Sequence, residues 1–432
     1  MRYALVALST LGLLAGCSGT ETPADSGTPQ TDTGVIIGDA RTASDSGPPA
    51  DAGLADVGSA DAAPADTGAP DTGPADAGVP ALGPVTVDID VARPAELLSQ
   101  FNFFRFVGGQ FEYNARVIPY ELNTPLFSDF ALKARALWVP EGTSITYRET
   151  GTLEFPVGSA IIKTFMLADD LRSPQNGLRL VETRVLIKYT DGWKAFPYLW
   201  NEAQSDADYF VRGQVEAISF IDPRGQPRTA QYLVPQKNQC LECHEIKDEQ
   251  GERYTTLIGP KARYLNRSAT LDGTAQNQLQ YLSDLGMLSG LPALDQIPRA
   301  FDWPSLTTTG TQALDTAALE RGARDYLDIN CAHCHRPNAT QGMTSRLWLN
   351  WDNDDTFHLG YCKEPGSAGS GAAGRQYDIV PGDAEASILI YRTETEMVGS
   401  MMPLLGRSLK DDVAAGVLRA WVDSLPPDDC SD

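Results

Sequence analysis

Two short strings constrain this 432-residue chain more than anything else in it: Cys240-Leu241-Glu242-Cys243-His244 and Cys331-Ala332-His333-Cys334-His335. Cys-x-x-Cys-His is the attachment signature of c-type haem. Its two thiols add to the two vinyl groups at one edge of the porphyrin. Two intervening residues set that separation, and the histidine that follows places an imidazole under the iron. Cys240, Cys243, Cys331 and Cys334 are therefore the expected attachment residues for two haem c groups, and His244 and His335 the expected proximal ligands. Three other readings compete. A four-cysteine zinc site does not require histidine after both pairs. A thioredoxin-like redox pair belongs in a βαβ context. Two disulfides between cysteines this close in sequence would form strained rings.

The N-terminus bears on which of these holds. Arg2 precedes an apolar run, Ala4 to Ala15, too short for a stable bilayer span. It ends in Leu14-Ala15-Gly16-Cys17, which resembles the lipobox of bacterial lipoprotein signal peptides. The expectation is cleavage before Cys17 and a lipid on Cys17. An ordinary secretory signal with a chance cysteine is the plainer alternative. Ser18, in place of an Asp that would resemble an inner-membrane retention signal, favours the outer membrane if the cell is Gram-negative. Seven cysteines are present. With Cys17 lipidated and four bound to haem, Cys362 and Cys430 remain, an even pair in an oxidising compartment, where a disulfide is the expected state. Cross-linking them would contribute about 4 kcal/mol by loop-closure entropy.

Residues 17–82 read as a disordered tether after a 1–16 signal peptide. They are Thr, Asp, Gly, Pro and Ala, with Asp51, Asp56, Asp61, Asp66, Asp71 and Asp76 at five-residue spacing. So few large apolar side chains cannot offset the entropy of ordering. The spacing also lacks the glycine turn and terminal Glu of a calcium loop. The formal net charge of −23 argues against nucleic acid as a partner and against charge-driven adhesion to anionic lipid.

The folded part reads as multidomain α+β. Residues 83–235 carry strand signals: the alternating Ser144–Arg148 and Arg184–Lys188, the turn Thr190-Asp191-Gly192, and Val215–Ile221 before Asp222-Pro223-Arg224-Gly225. A β-sandwich or barrel-like domain is expected there. A first haem segment follows over 236–310 and a cytochrome c-like domain over 311–432, mainly helical and with little strand. Helices are expected over Ala275–Leu285, over Thr316–Asn330 capped by Asp315, over Ala384–Arg392, and over Lys410–Leu425 with Val413, Val417, Leu418 and Trp421 on one face.

The sixth iron ligands are expected elsewhere in the chain. Met401-Met402-Pro403 resembles the Met-Pro loop of small c-type cytochromes, which makes Met402 the distal ligand of the second haem. Met401 is its neighbour and His358 the alternative. For the first haem, Met287 is the candidate, and a distal face with no protein ligand is the other reading. His333 points away from its own iron and is read as a surface residue, or at most one that supports a ligand.

Beyond these strings, Pro119 to Asp129, Phe155-Pro156-Val157-Gly158, Ile258-Gly259-Pro260-Lys261 and Met402-Pro403 make residues 95–425 resemble a family of exported dihaem c-type cytochromes. The N-terminal module is also similar to one fused to quinoprotein sugar dehydrogenases. This implies electron transfer from a separate dehydrogenase, so redox proteins are the expected partners, with the membrane reached through the Cys17 lipid. The stretch from Phe155 to Trp193 resembles the β-rich cytochromes that oxidise hydroxylamine through a haem–lysine cross-link, with Lys163 and Lys188 as the lysines to compare. That resemblance implies an open, catalytic first haem. A structural or surface-binding lipoprotein without haem is the reading of another class.

Overall fold

A computed structural model describes residues 81–91, 93–309, 314–342 and 345–431. The expected signal peptide, Cys17 and all but the end of the tether lie outside the described residues. The centre of the fold is an antiparallel six-stranded sheet of order β3-β4-β6-β7-β8-β9. In chain order, the hairpin β1 (Phe104–Val107) and β2 (Gln110–Tyr113) comes first, then β3 (Val117–Pro119), β4 (Leu132–Trp138) and the short β5 (Ile145–Thr146). The long central strands are β6 (Ala160–Leu167), β7 (Arg179–Tyr189) and β8 (Gly192–Trp200). The Thr190-Asp191-Gly192 turn joins β7 to β8, and Gly192 takes the positive φ of 124° that such a turn favours in glycine. β9 (Ala207–Tyr209) closes the row, and β10 (Gln214–Ile221) with β11 (Pro227–Val234) forms a separate hairpin. Its turn is tied by Asp222 Oδ1, which accepts from the amides of Arg224 and Gln226 at 2.9 Å each.

No sheet closes into the expected barrel, and none stacks on another as a sandwich. Both faces of the six-stranded sheet are nonetheless buried, because period-2 side chains on each strand serve two cores. Ala136, Ile162, Val185, Ile187 and Phe196 pack with Phe101, Phe103 and Phe104 of the N-terminal segment. Leu137, Ile161 and Leu186 point the other way, into a core built with Leu257, Tyr264, Leu265, Leu279 and Leu282. The layer that a second sheet would supply comes instead from the loop-rich chain after residue 236, helped at one end by Phe220, Ala230 and Tyr232 of the β10–β11 hairpin.

That later region holds more strand than expected: β12 (Glu245–Lys247), β13 (Arg253–Thr255), β14 (Ser268–Leu271), β15 (Thr274–Asn277) and β16 (Leu288–Ser289). Its helices are α1 (Cys240–His244), α2 (Ala262–Leu265), α3 (Gln278–Asp284), α4 (Trp303–Thr309), α5 (Thr316–Asn330), α6 (Thr356–Leu359), α7 (Ile388–Glu394) and α8 (Asp412–Ser424). The helix expected from Ala275 begins three residues later. Asp272-Gly273 turns the chain back into the β14–β15 hairpin, and the Asn277 side chain then caps α3 by accepting from the Leu279 amide at 3.0 Å. The helix expected from Ala384 begins at Ile388, because Ser387 Oγ is held by the Asp383 carbonyl at 2.8 Å and the preceding residues form a turn. α5 is capped by Asp315, as its sequence implies, with the Ala318 amide donating at 2.8 Å. On α8, Val417, Leu418 and Trp421 are fully buried against Leu319, Ala323 and Leu327 of α5.

Buried ion pairs fix these parts to one another. Asp328 of α5 accepts from Lys261 Nζ at 2.6 Å and from Tyr264 Oη at 2.7 Å. Asp325 pairs with Arg263 and accepts the Phe301 amide at 2.6 Å. Asp129, before β4, accepts the amides of Ser408 and Leu409 at 2.7 and 2.8 Å, which anchors the loop after Met402. No described helix is long and apolar enough to cross a membrane.

Candidate cofactor site

The first motif forms a single helical turn, α1, and the second follows directly on α5, whose C-cap is Cys331. In the second, the amides of Cys334 and His335 both donate to the Cys331 carbonyl at 3.0 Å. Each motif histidine is oriented through one ring nitrogen. His244 Nδ1 lies 2.7 Å from the Thr256 carbonyl, and His335 Nδ1 lies 3.2 Å from Ser345 Oγ. A carbonyl can only accept, so His244 carries its proton on Nδ1, and Nε2 presents a lone pair. Burial lowers the basicity of both rings. For His335, burial and the neighbouring charges of His333, Arg392 and Lys363 bring the pKa down to about 4. Both are held in the neutral form that a metal requires.

The motifs meet. Cys334 Sγ lies 3.4 Å from the Glu242 carbonyl, and its thiol is in hydrogen-bonding contact with the Cys243 sulfur. That contact, together with His333 and His244 and against the opposing effect of burial, holds the Cys243 thiol well below its usual range. Burial pushes Cys331 up to about 12 and also raises Cys240. The segments beyond the motifs are joined as well, the Lys247 amide donating to the Asn338 carbonyl at 2.8 Å and Thr340 Oγ1 to that of Glu245 at 3.1 Å. The four cysteines are not joined as disulfides. Among the described residues they also do not gather as a tetrahedral four-sulfur set, so this geometry gives the zinc reading no support.

Cys240, Cys243 and His244 line a cavity of about 1460 Å³, counting the space that opens to solvent. The Pro119–Asp129 segment lends Leu122, Leu126, Phe127 and Ser128 to the wall, and Ile258, Gly259 and Pro260 lend another stretch. Motif strings separated along the sequence are thus gathered round one space. The sheet supplies the rest in ordered rows. Leu137, Ile161, Leu186 and Ala195 are cross-strand neighbours in one apolar row. Two residues along lies the row Arg135, Lys163, Arg184 and Pro197. The residues fit haem c: two thiols and a neutral imidazole with a free nitrogen beside an apolar wall.

The other expected site residues fall in several places. Met402 lines a narrow cleft with Cys331, Tyr326 and Arg407. Its amide donates to the Arg392 carbonyl at 2.8 Å, and its own carbonyl accepts from Arg407 Nε at 2.9 Å. His335 is not part of that pocket's lining. Met401 is buried beside it. His358 stacks on Trp348 at 3.5 Å between ring centroids and contacts the Arg346 carbonyl through Nδ1. Met287 is fully buried in the apolar core and does not line the cavity of the first motif. Lys163 lines that cavity, whereas Lys188 lies over Trp193 outside it. His333 is not a surface residue: it is 8% exposed, lines the first motif's cavity, and has a buried Nδ1 with no hydrogen-bond partner.

Cys362 and Cys430 form a disulfide across 68 residues. Asp428 lies beside it, but sulfurs joined to each other are not the thiolates a metal takes, so the trio is no metal site. Arg135 and Arg184 were missed in the sequence. Their signal was present, since each is a cation in phase with the core-facing residues of a strand. No protein-family model, no curated protein and no solved structure matches the chain.

Proposed function

We propose that the chain is an exported dihaem c-type cytochrome that transfers electrons. The observation that carries this reading is the junction itself. Two Cys-x-x-Cys-His motifs far apart in sequence are brought into sulfur contact, and the first of them lines a largely apolar cavity. Haem bound there supplies one-electron exchange without a bound substrate. Cys240 and Cys243 would hold the first group and Cys331 and Cys334 the second. His244 and His335 would present imidazole nitrogens from orientations already fixed by Thr256 and Ser345. Met402, which shares a cleft with Cys331, would close the second site, and Arg407 holds its loop. The packing of α5 on α8 beside the second motif fits a cytochrome c-like domain, with the open sheet forming the wall of the first site. A lipid at Cys17 would hold the protein to the periplasmic face or surface of an outer membrane, and a separate dehydrogenase would serve as electron donor.

A second reading has its own observation. The cavity of the first motif is lined by no methionine, and Lys163 faces into it. This favours a first haem with an open distal face acting on a small molecule. Haem staining after denaturing electrophoresis, with intact mass, tests the shared premise. Protein made with a competent maturation system should carry two covalent haems, and absence of covalent haem would end both readings. Carbon monoxide added to the reduced protein separates them. Uptake of one equivalent marks an open iron, and no uptake leaves electron transfer alone.

A further inference from the structure

The wall of the first motif's cavity holds three basic side chains, and one carboxylate is paired with them. Arg135, Lys163 and Arg184 are direct cross-strand partners on β4, β6 and β7, and all three line the cavity. Like charges placed opposite one another destabilise a sheet, and a cation withdrawn from water without a counter-charge is costly. Arg184 is answered by Glu182, which takes Arg184 Nη2 at 2.6 Å and Nε at 2.9 Å. That carboxylate is also engaged by Tyr232 Oη at 2.9 Å. Arg135 and Lys163 have no carboxylate within ion-pair distance among the described residues. Glu121, the acid whose charge acts on Arg135, is itself paired with Arg267 at 3.0 Å. Lys163 Nζ lies 4.7 Å from the centre of the Phe165 ring, a contact that does not neutralise it. Two further donors are left without partners at the same wall. Arg135 Nη2 is buried and unbonded, and so is the hydroxyl of Ser128, a residue 5% exposed.

We propose that Arg135, Lys163 and Ser128 form an oxyanion seat in this cavity, which takes a carboxylate or a small inorganic oxyanion. The inference rests on the haem reading of the first motif only for the source of the anion. One source is the pair of carboxylates on a tetrapyrrole attached at Cys240 and Cys243, two anions for two basic groups that no carboxylate answers, which would hold Lys163 in its charged form against burial and its cationic neighbours. The other is an anion that diffuses in. The donor set suits either, because guanidinium and ammonium groups donate without accepting and the Ser128 hydroxyl can donate alongside them.

The test uses the full chain with its haem content counted first by intact mass, so that failure of the haem reading is recorded separately. Arg135→Gln and Lys163→Gln are compared with Arg135→Lys and Lys163→Arg, which keep the charge, and with Lys188→Gln, which lies outside the cavity. Midpoint potentials are titrated against pH, and sodium nitrite is titrated spectrophotometrically into each protein. If the seat holds the cofactor's own carboxylates, the Gln variants lower the first midpoint and introduce a pH dependence in the carboxylate range, while nitrite has no effect on wild type. If it holds a free anion, nitrite gives a saturable spectral change in wild type, weakened roughly tenfold or more in the Gln variants, the loss of a charge-assisted hydrogen bond. In both cases the charge-conserving variants stay close to wild type. Potentials and nitrite titrations of the Gln variants that match Lys188→Gln would overturn the seat. So would equal losses in the Gln and charge-conserving variants, which mark a packing role. Protein lacking covalent haem moves the test to calorimetric titration with nitrite, and absence of binding heat there overturns the seat independently of haem.

Discussion

Replacing both Cys362 and Cys430 by serine should lower stability by about 4 kcal/mol. The disulfide closes a loop of 68 residues. In the chain-entropy account the gain comes from the unfolded state, whose conformations the cross-link restricts, and it grows with the logarithm of loop length. The loop contains α7, the Met402 loop and α8, so the cost falls on the part of the chain expected to close the second site. Local contacts of the tail add little: the Tyr377 hydroxyl donates to the Cys430 carbonyl at 2.9 Å, and the Asp428 amide to that of Pro381 at 3.1 Å. Both remain available to a serine chain. Urea unfolding of wild type and the double variant measures the difference. The midpoint should fall and the slope should rise, because an uncrosslinked chain exposes more surface when it unfolds. Reduction of wild type should reproduce the variant. A loss under about 1 kcal/mol with an unchanged slope would refute the entropic argument.

Met402→Ala should leave both haems attached but turn the second iron high spin, with loss of the methionine–iron charge-transfer band; loss in Met401→Ala instead shifts the register by one residue. Met287→Ala should cost roughly 2–5 kcal/mol, as for a buried methionine in a packed core, and leave carbon monoxide binding at its wild-type level. Binding that appears only in the variant makes Met287 a ligand after all. Asp129→Ala strands the Ser408 and Leu409 amides and should cost roughly 3 kcal/mol in urea unfolding; a cost near zero shows that the Met402 loop is held by other contacts. Lys133 has its pKa brought from 10.5 to about 7, first by burial and then by Arg135 and Arg184. Between those values the unfolded chain binds a proton that the folded chain does not, so stability should rise with pH from about 7 to 10.5. Lys133→Met should flatten that slope, and an unchanged slope assigns it to other groups.

Local signals with a short physical cause were readable from residues alone. Asp315 marked the start of α5, and Val417, Leu418 and Trp421 marked the buried face of α8. The Thr190-Asp191-Gly192 turn joined two strands, and the cysteine count gave the Cys362–Cys430 bond. What failed depended on longer range. The strands after Gly83 alternate as a sandwich would, but their faces are buried mostly by loop-rich chain and short hairpins, and alternation does not say what covers a face. Ala275 to Asn277 has helical spacing but is claimed by the Asp272-Gly273 turn as a strand. His333 read as exposed because a motif fixes its own histidine's direction and says nothing of the neighbouring motif that buries the residue between. Lys163 and Lys188 were equivalent in sequence, and only strand register separates the one that faces the cavity from the one that does not.

The contact between Cys334 and Cys243 sets an order of events for biogenesis. If the chain is exported as proposed, two free thiols held this close in a finished fold are exposed to oxidants as a pair, and a bond between them would tie the two motifs together and withdraw both thiols from haem attachment. The native fold is therefore a trap for unmodified chain. Under the proposed haem reading, attachment at both motifs would precede the docking of α5 against the segment that carries α1, and the ion pair between Lys261 and Asp328 is among the contacts that would wait. A cell making this protein without enough haem should accumulate chains cross-linked between the motifs, visible as a faster-migrating band on non-reducing electrophoresis and absent when Cys334 is replaced by serine.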